Sequence, residues 1–264
     1  MILFSVFKGR IGKIYSTRRI LREMALRQFK EKYAGSKLGL WWAVITPLLF
    51  AVSINFVFVA VFKIQITNYT FFVLAGMIPW FFFSNSLTEA ASSFLVNSQI
   101  LRQAIFPREF IPTATILANL LNFIIGLIFL LPLFIFINIK VITMLPLLAV
   151  VVILHSIFII GFALLFSVLN VFMRDFPHIL STLFMVWFWI TPVFYSIDMV
   201  PESFRQVCLS NPMTNFVMIY QMLLFQVKFP PIADIFKLMI ISLVSFLIGY
   251  IIFVVNESKL LKKI

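Results

Sequence analysis

Few side chains in this sequence have the types and spacings that enzymatic chemistry requires. It holds two histidines, His155 and His178, one cysteine, Cys208, and nine acidic residues. No H-E-x-x-H or G-x-S-x-G segment occurs, so neither a zinc-hydrolase helix nor a nucleophile elbow is indicated. A lone cysteine can form neither a disulfide within the chain nor a cysteine-based metal site. The sequence therefore predicts no catalytic residues and no metal ligands.

The sequence also lacks a loop that could hold the phosphates of a nucleotide. A P-loop needs G-x-x-x-x-G-K followed by Ser or Thr, so that backbone amides and the lysine can surround the phosphates. The nearest fragment, Gly9 to Lys13, has the wrong spacing and no Ser or Thr after the lysine. If the chain takes part in an ATP-driven process, the ATPase is expected to be another chain.

The elements that would position any functional side chain are apolar helices. Of the 264 residues, 62% are hydrophobic and only 11% are charged, a composition typical of membrane proteins. Long uncharged runs predict an all-α integral membrane protein with six transmembrane helices. These six spans are expected at about 38–62, 69–97, 111–138, 145–172, 179–196 and 233–255.

A further apolar run precedes the last span. It extends from Met213 to Val227, between Asn211-Pro212 and Pro230-Pro231. As a helix it would reach only about 22 Å, short of the ~30 Å hydrocarbon core. We therefore predict a re-entrant or interfacial hairpin over 197–231 at the outer face. A seventh full span is the alternative, and it would move the C-terminus to the other side of the membrane.

The distribution of basic residues favours six spans over seven. With the N-terminus inside, the inner segments hold 16 Lys and Arg and the outer segments hold five, as the positive-inside rule requires. Ten of the 21 basic residues precede residue 38, where they suit a cytoplasmic flank beside anionic lipid headgroups better than nucleic-acid binding. The predicted organisation is a cytoplasmic basic amphipathic segment at 1–37 and a transmembrane domain at 38–264.

Residues 14–33 have the pattern of an amphipathic helix that lies in the membrane interface. Apolar side chains including Leu21, Ala25 and Phe29 share one face, and Arg19, Arg27 and Lys30 lie on the other. A solvated basic tail is the alternative.

His155 lies within the fourth span, where it is either a neutral packing residue or a residue that faces a polar path.

The inner loop between the second and third spans mixes apolar and charged side chains. Its residues Gln99, Leu101, Arg102, Phe106, Arg108 and Glu109 would suit docking into a groove on another protein. A plain interfacial loop fits the same pattern.

Three segments of the chain resemble those of type-2 ABC transporter permeases. They are Leu26-Arg27-Gln28-Phe29-Lys30-Glu31-Lys32-Tyr33-Ala34-Gly35-Ser36-Lys37-Leu38-Gly39-Leu40-Trp41-Trp42 with Thr46-Pro47, then Phe106-Pro107-Arg108-Glu109-Phe110-Ile111-Pro112, then Arg174-Asp175 through Thr191-Pro192-Val193-Phe194-Tyr195 to Asn211-Pro212. Their order and spacing are similar over nearly the whole chain. The closest branch exports O-antigen, capsule and teichoic-acid precursors. The helix after Asn211-Pro212 departs from the family pattern, because Met218 and Gln221 stand where an acidic and a basic residue are frequent.

The resemblance implies a permease, not an enzyme, that forms a homodimer with two cytoplasmic ATPase subunits. ATP and Mg²⁺ would be bound by those subunits, so this chain is expected to carry no cofactor. It also implies the inner membrane with both termini cytoplasmic, and a lipid-linked polysaccharide as cargo. The coupling surface to the ATPase would consist of Arg19, Arg27, Lys30, Gln99, Leu101, Arg102, Phe106, Arg108 and Glu109.

A polysaccharide needs a polar-lined path, because hydroxyl groups left unpaired in hydrocarbon cost a few kcal/mol each. The residues predicted to line or gate this path are Trp41, Trp42, Trp80, His155, Trp187, Trp189, Tyr195, Tyr220 and Gln221. An aromatic belt at the membrane interfaces is the alternative for the aromatic members. Alternative functions are a small-molecule or drug exporter permease, a membrane-embedded transferase for lipid-linked sugars, and a secondary transporter.

Overall fold

The computed structural model describes residues 12, 15–63, 65–102, 106–173 and 175–263, and every regular element within these ranges is helical. In chain order the helices are α1 Arg18–Tyr33, α2 Trp42–Asn55, α3 Tyr69–Val96, α4 Ser98–Arg102, α5 Phe110–Ile137, α6 Val141–Phe172, α7 Phe176–Ile190, α8 Glu202–Ser210, α9 Pro212–Gln221 and α10 Ile232–Lys263. A 3₁₀ turn, Gly39–Trp41, precedes α2, and a π-helical segment, Phe56–Val61, continues it.

Five helical segments in the described part of the chain are long and apolar enough to cross a membrane. They are Gly39–Val61, Tyr69–Val96, Phe110–Ile137, Val141–Phe172 and Ile232–Leu260. These correspond to five of the six expected spans. The remaining one is α7, which has 15 residues and a length of about 22 Å. The all-α architecture is confirmed, and the count of six spans stays a prediction.

The end of α7 differs from the expected boundary. The apolar run predicts a helix that continues to residue 196, but the structure ends it at Ile190. Thr191 is extended, with φ −86° and ψ 130°, because the ring of Pro192 clashes with a helical conformation in the residue before it. Pro192 therefore lies in a turn after the helix and does not kink it.

The last helix is longer than its apolar stretch. The expected span closes at residue 255, whereas α10 continues to Lys263. The added turns contain Asn256, Glu257 and Lys259, so they are too polar for a bilayer core and extend the helix past it. This extension contacts the loop before α5, as described below.

The segment expected to form a hairpin contains two short helices. A 3₁₀ turn, Ile197–Met199, leads into α8, and Asn211 separates α8 from α9. One face of α9 is enclosed by protein, since Met213, Phe216 and Tyr220 are buried. The sequence prediction of a short helix here is confirmed, and its re-entrant position in the membrane stays a prediction.

The core is organised around α3, which packs against α2, α5, α6, α7 and α9. The closest helix crossing lies between α6 and α10, where two glycines face one another. A Cβ on Gly249 would lie 1.9 Å from the carbonyl oxygen of Gly161. The hydroxyl of Ser245 donates a hydrogen bond of 2.9 Å to the carbonyl of Phe158. Small residues at four-residue spacing, Ser245 and Gly249, thus let two backbones touch, as in membrane helix pairs.

Helix α1 packs along α5 with its apolar face. Ala25 is buried, while Arg19, Arg27 and Lys30 are exposed on the opposite face. Arg27 donates to the carboxylate of Glu31 at 2.8 Å, one helical turn away. The predicted amphipathic pattern is confirmed within Arg18–Tyr33, and part of the apolar face covers protein.

Candidate functional site

A polar network joins the end of α1 to α3 and α5. The Lys32 ammonium lies 2.8 Å from a carboxylate oxygen of Glu89 and donates a hydrogen bond of 2.7 Å to the side-chain oxygen of Asn119. The Asn119 amide nitrogen donates in turn to the other Glu89 oxygen at 2.7 Å. Three side chains from three helices therefore form a closed ring, which compensates both charges.

Tyr33 forms a second link between α1 and α5. Its hydroxyl donates a short hydrogen bond to the side-chain oxygen of Asn122. Burial raises the pKa of the Tyr33 hydroxyl, and the negative charge of Glu89 raises it further. The hydroxyl therefore stays protonated and available as a donor well above neutral pH.

These polar groups line a cavity of about 410 Å³ between α1, α2, α3 and α5. Besides the network, its wall includes Trp42, Thr46 and Asn85. Phe82 and Phe123 stack at 4.8 Å between ring centroids and close it on the side of the core. The volume lies within the ~300–1,000 Å³ range of small-ligand pockets.

Of the residues that line this cavity, only Trp42 is predicted from the sequence to be a site residue. The signal was present, because Asn85, Asn119 and Asn122 interrupt apolar helices and polar side chains within spans are functional candidates by default. Glu89 is expected from the sequence to emerge into water. In the structure Glu89 is exposed, and its carboxylate pairs with Lys32, which is 57 residues earlier and cannot be assigned as a partner from spacing.

Asn211 fixes the turn after α7. Its side-chain oxygen accepts hydrogen bonds from the indole nitrogen of Trp187 at 2.7 Å and from the backbone nitrogen of Met213 at 3.0 Å. Its amide nitrogen donates to the hydroxyl of Thr191 at 2.9 Å. The Asn-Pro motif therefore caps α9 and ties that helix to the end of α7. Trp187, a predicted path residue, is held by this contact.

Gln221 supports the same turn from inside the protein. Its amide nitrogen donates to the carbonyl oxygens of Pro192 at 3.1 Å and Val193 at 3.3 Å. A Cβ on Gly76 would lie 2.9 Å from that nitrogen, so only glycine leaves room for this contact on α3. Gln221 is 4% exposed. It stabilises the turn, and its role in lining or gating the path stays a prediction.

His155 lies within an aromatic cluster and is fully buried, with 0% exposure. Its ring stacks on Phe216 at 4.5 Å and has Phe82 edge-on at 5.3 Å. Tyr220, also fully buried, lies 5.9 Å away. Neither imidazole nitrogen has a hydrogen-bond partner among the described residues. The structure thus places two predicted path residues together, enclosed in the core of one protomer.

The other predicted path residues divide into an exposed set and a covered set. Trp41, Trp42 and Trp189 are 56%, 47% and 57% exposed. Trp80 is buried beside Phe83. The hydroxyl of Tyr195 donates to the carbonyls of Trp189 and Ile190 at 3.2 and 3.0 Å, which caps the end of α7.

The loop predicted to dock a partner is partly occupied by contacts within the chain. The prediction that Leu101 is exposed is wrong, since it is 1% exposed in a cluster with Phe253 and Leu260 of α10. Its apolar surface is more favourable against the end of α10 than in water. Phe106 of the loop and Met24 of α1 pack on the same cluster. Two predicted coupling regions therefore meet there.

The charged members of this loop have different surroundings. Arg108 donates to a carboxylate oxygen of Glu257 at 3.0 Å, and both side chains are largely buried. Glu109 is buried just before α5, and Gln99 is exposed. The side chain of Arg102 lies outside the described part of the chain. Arg108 thus joins the loop to the polar extension of α10.

Comparisons with known proteins agree with this architecture. A family model described as ABC-2 type transporter matches residues 20–225. A protein of Klebsiella pneumoniae named O-antigen export system permease protein RfbA is 34% identical over 197 residues, which cover 73% of this chain and 74% of that protein. A protein of the same name from Myxococcus xanthus is 29% identical over 243 residues, or 89% of this chain and 91% of that one.

The family match runs from α1 through α9 and includes the loop before α5 and the Asn211 turn. It covers well over half of the chain, and the Klebsiella relative is more than 30% identical over 73% of the chain. With its long apolar helices, the chain is a multi-pass membrane protein that belongs to the ABC-2 type transporter family.

Proposed function

We propose that this chain is the membrane-spanning subunit of an ATP-driven exporter that moves a lipid-linked polysaccharide, such as O-antigen, across the inner membrane. The observation that carries the proposal is the similarity to proteins named O-antigen export permeases. In the Myxococcus protein it extends over 91% of that chain. The apolar helices and the scarcity of catalytic constellations in the sequence support a transport role rather than a catalytic one.

A second polypeptide is proposed to supply the energy. No segment of the 264 residues has the P-loop spacing, and ABC-2 permeases resemble one another in working with separate ATPases. We place two ATPase subunits on the cytoplasmic side of a homodimer, with both termini of each permease facing them. The cluster around Leu101 and Phe106 supports this position, because it joins α1, the loop and α10 at one end of the protein.

The exposed tryptophans support a path between two copies of the chain. Trp41, Trp42 and Trp189 present large rings on the surface of a single protomer. The negative face of an indole attracts the weakly positive C–H groups of a sugar ring without fixing one sugar residue. Repeated weak contacts of this kind would let a polymer slide past. The aromatic belt remains the alternative role for the same residues.

The first test asks whether ATP hydrolysis comes from a separate subunit. The chain purified alone in detergent is expected to hydrolyse no ATP above a no-protein control. A cognate ATPase subunit is expected to co-purify with it from cells that express both, and to bring hydrolysis with it. Hydrolysis by the lone chain that persists through further purification would contradict the permease assignment.

Deleting the chain from the cell that produces it tests the identity of the cargo. Surface polysaccharide is expected to disappear, while the lipid-linked polymer accumulates on the cytoplasmic face of the inner membrane. Expression of the chain in the deletion strain is expected to reverse both effects. Expression of an unrelated membrane protein at the same level is expected to reverse neither. Normal surface polymer in the deletion strain, together with new sensitivity to small toxic compounds, would favour the drug-exporter alternative.

A further inference from the structure

The cavity between α1, α2, α3 and α5 holds hydrogen-bonding groups that the protein leaves unused. The side chains of Asn85 and Thr46 line the cavity and form no hydrogen bond with any described residue. Asn122 uses its oxygen for Tyr33, and its amide nitrogen has no partner in the same part of the chain. Asn85 and Thr46 are exposed, so their polar groups are open to a ligand that enters the cavity.

The charge of the cavity excludes a simple anion site. Among its lining side chains only Lys32 and Glu89 are charged, and they pair with each other at 2.8 Å. Asn119 completes the ring between them. A phosphate would therefore meet a compensated ammonium and a nearby carboxylate, and would gain little. Neutral donors and acceptors are what the cavity offers to a ligand.

An aromatic ring lies among these neutral groups. Trp42 lines the cavity and is 47% exposed, so part of its indole surface is available. Amide and hydroxyl groups beside an open ring match the two surfaces of a sugar, its hydroxyl edge and its C–H face. The volume of about 410 Å³ fits a small headgroup. Gly126 shapes the wall, because a Cβ there would lie 3.1 Å from the backbone oxygen of Ala43 on the neighbouring helix.

We propose that this cavity binds a neutral sugar ring, stacked on Trp42 and hydrogen-bonded by Asn85, Asn122 and Thr46. The ring belongs either to a membrane glycolipid or to the sugar units of the cargo, and the second source rests on the proposed function. The site lies within one protomer, so it differs from a path formed between two copies. The Lys32–Glu89–Asn119 ring forms its rigid polar end.

The test follows the Trp42 environment directly. The full-length chain and its ATPase are prepared in phospholipid nanodiscs with 5-fluorotryptophan, and Trp42→Phe assigns the resonance. Octyl β-glucoside is expected to shift the Trp42 fluorine signal in a saturable manner. Octyl phosphate, with the same tail and an anionic head, is expected to shift it little. Because octyl phosphate carries the same tail, its response controls for general tail binding.

Two variants test the neutral groups. Asn85→Leu and Asn122→Leu are each expected to weaken octyl glucoside binding by about tenfold, equal to ~1.4 kcal/mol. Thr88→Val, on the same helix but outside the cavity lining, should leave binding unchanged. The signal of buried Trp80 reports whether each variant remains folded.

Each outcome of this titration has a stated meaning. An equal or stronger response to octyl phosphate would overturn the proposal, as would unchanged binding in both folded leucine variants. A response to tail-free methyl β-glucoside as well assigns the ring to sugar units of a polymer, and a response to octyl glucoside alone assigns it to a lipid headgroup. Because binding is measured without export, failure of the site and failure of the proposed cargo are separate results.

Discussion

Alanine at Gly249 is expected to prevent the close packing of α6 and α10 and to lower the free energy of unfolding by about 3 kcal/mol. The added Cβ would lie 1.9 Å from the Gly161 carbonyl oxygen. Both groups belong to helix backbones, so no side chain can rotate away and the helices themselves must separate. Their separation would also remove the hydrogen bond from Ser245 to Phe158.

The measurement is the fraction of monodisperse protein that remains after heating in detergent, followed by size-exclusion chromatography. Alanine substitutions at two other glycines, Gly12 and Gly126, serve as controls with less crowding. A Cβ on Gly12 would meet no atom of the described residues within 4 Å, and one on Gly126 would lie 3.1 Å from the Ala43 oxygen. The expected order of thermal stability is Gly12→Ala, then Gly126→Ala, then Gly249→Ala. A Gly249→Ala protein as stable as the Gly12→Ala protein would show that the crossing is looser than described.

Arg108→Glu is expected to reduce export of the surface polymer by roughly tenfold or more, a change that requires only ~1.4 kcal/mol. The new carboxylate would lie close to Glu257, where the native guanidinium now donates a hydrogen bond of 3.0 Å. Like charges at this distance would push the loop away from the extension of α10. The loop would then no longer hold the position from which it is proposed to contact the ATPase.

The double variant Arg108→Glu with Glu257→Arg separates two roles for this arginine. If Arg108 acts by holding the loop to α10, the exchanged pair should restore a large part of export. If Arg108 contacts the ATPase itself, the exchange restores nothing and the single variant also loses co-purification. Surface polymer is quantified in cells, with permease level in membranes as the control. Arg27→Glu, which changes an exposed charge elsewhere on the proposed coupling surface, serves as a comparison.

The helices could be predicted from the sequence because bilayer-length apolar runs carry a strong local signal. Gly39–Val61, Tyr69–Val96 and Phe110–Ile137 each lie within about two residues of the expected bounds. The predicted helix bounds were wrong where two local signals compete. The apolar run into α7 continues past Ile190, but the conformational restriction before Pro192 ends the helix earlier.

The candidate site was harder to predict because its contacts are distant in the sequence. Lys32 and Glu89 are both visible as charges, yet only the packing of α1 against α5 brings them together. Leu101 was expected to be exposed because it lies in a loop that mixes apolar and charged residues, whereas its partner Phe253 lies on the last helix. The sequence did single out the Asn-Pro and Thr-Pro motifs, although not the hydrogen bond that joins Asn211 to Thr191.

The short length of α7 has a consequence for the surrounding lipid. A helix of 15 residues falls about 8 Å short of the hydrocarbon thickness. Its outward side chains Leu183, Met185 and Val186 are exposed in a single protomer, so an apolar band narrower than the bilayer faces outward there. If α7 is the sixth span, as predicted, lipid tails beside such a band must compress or tilt, at a cost of a fraction of a kcal/mol for each ångström. In the proposed homodimer, a second copy of the chain that covered this face would relieve the mismatch.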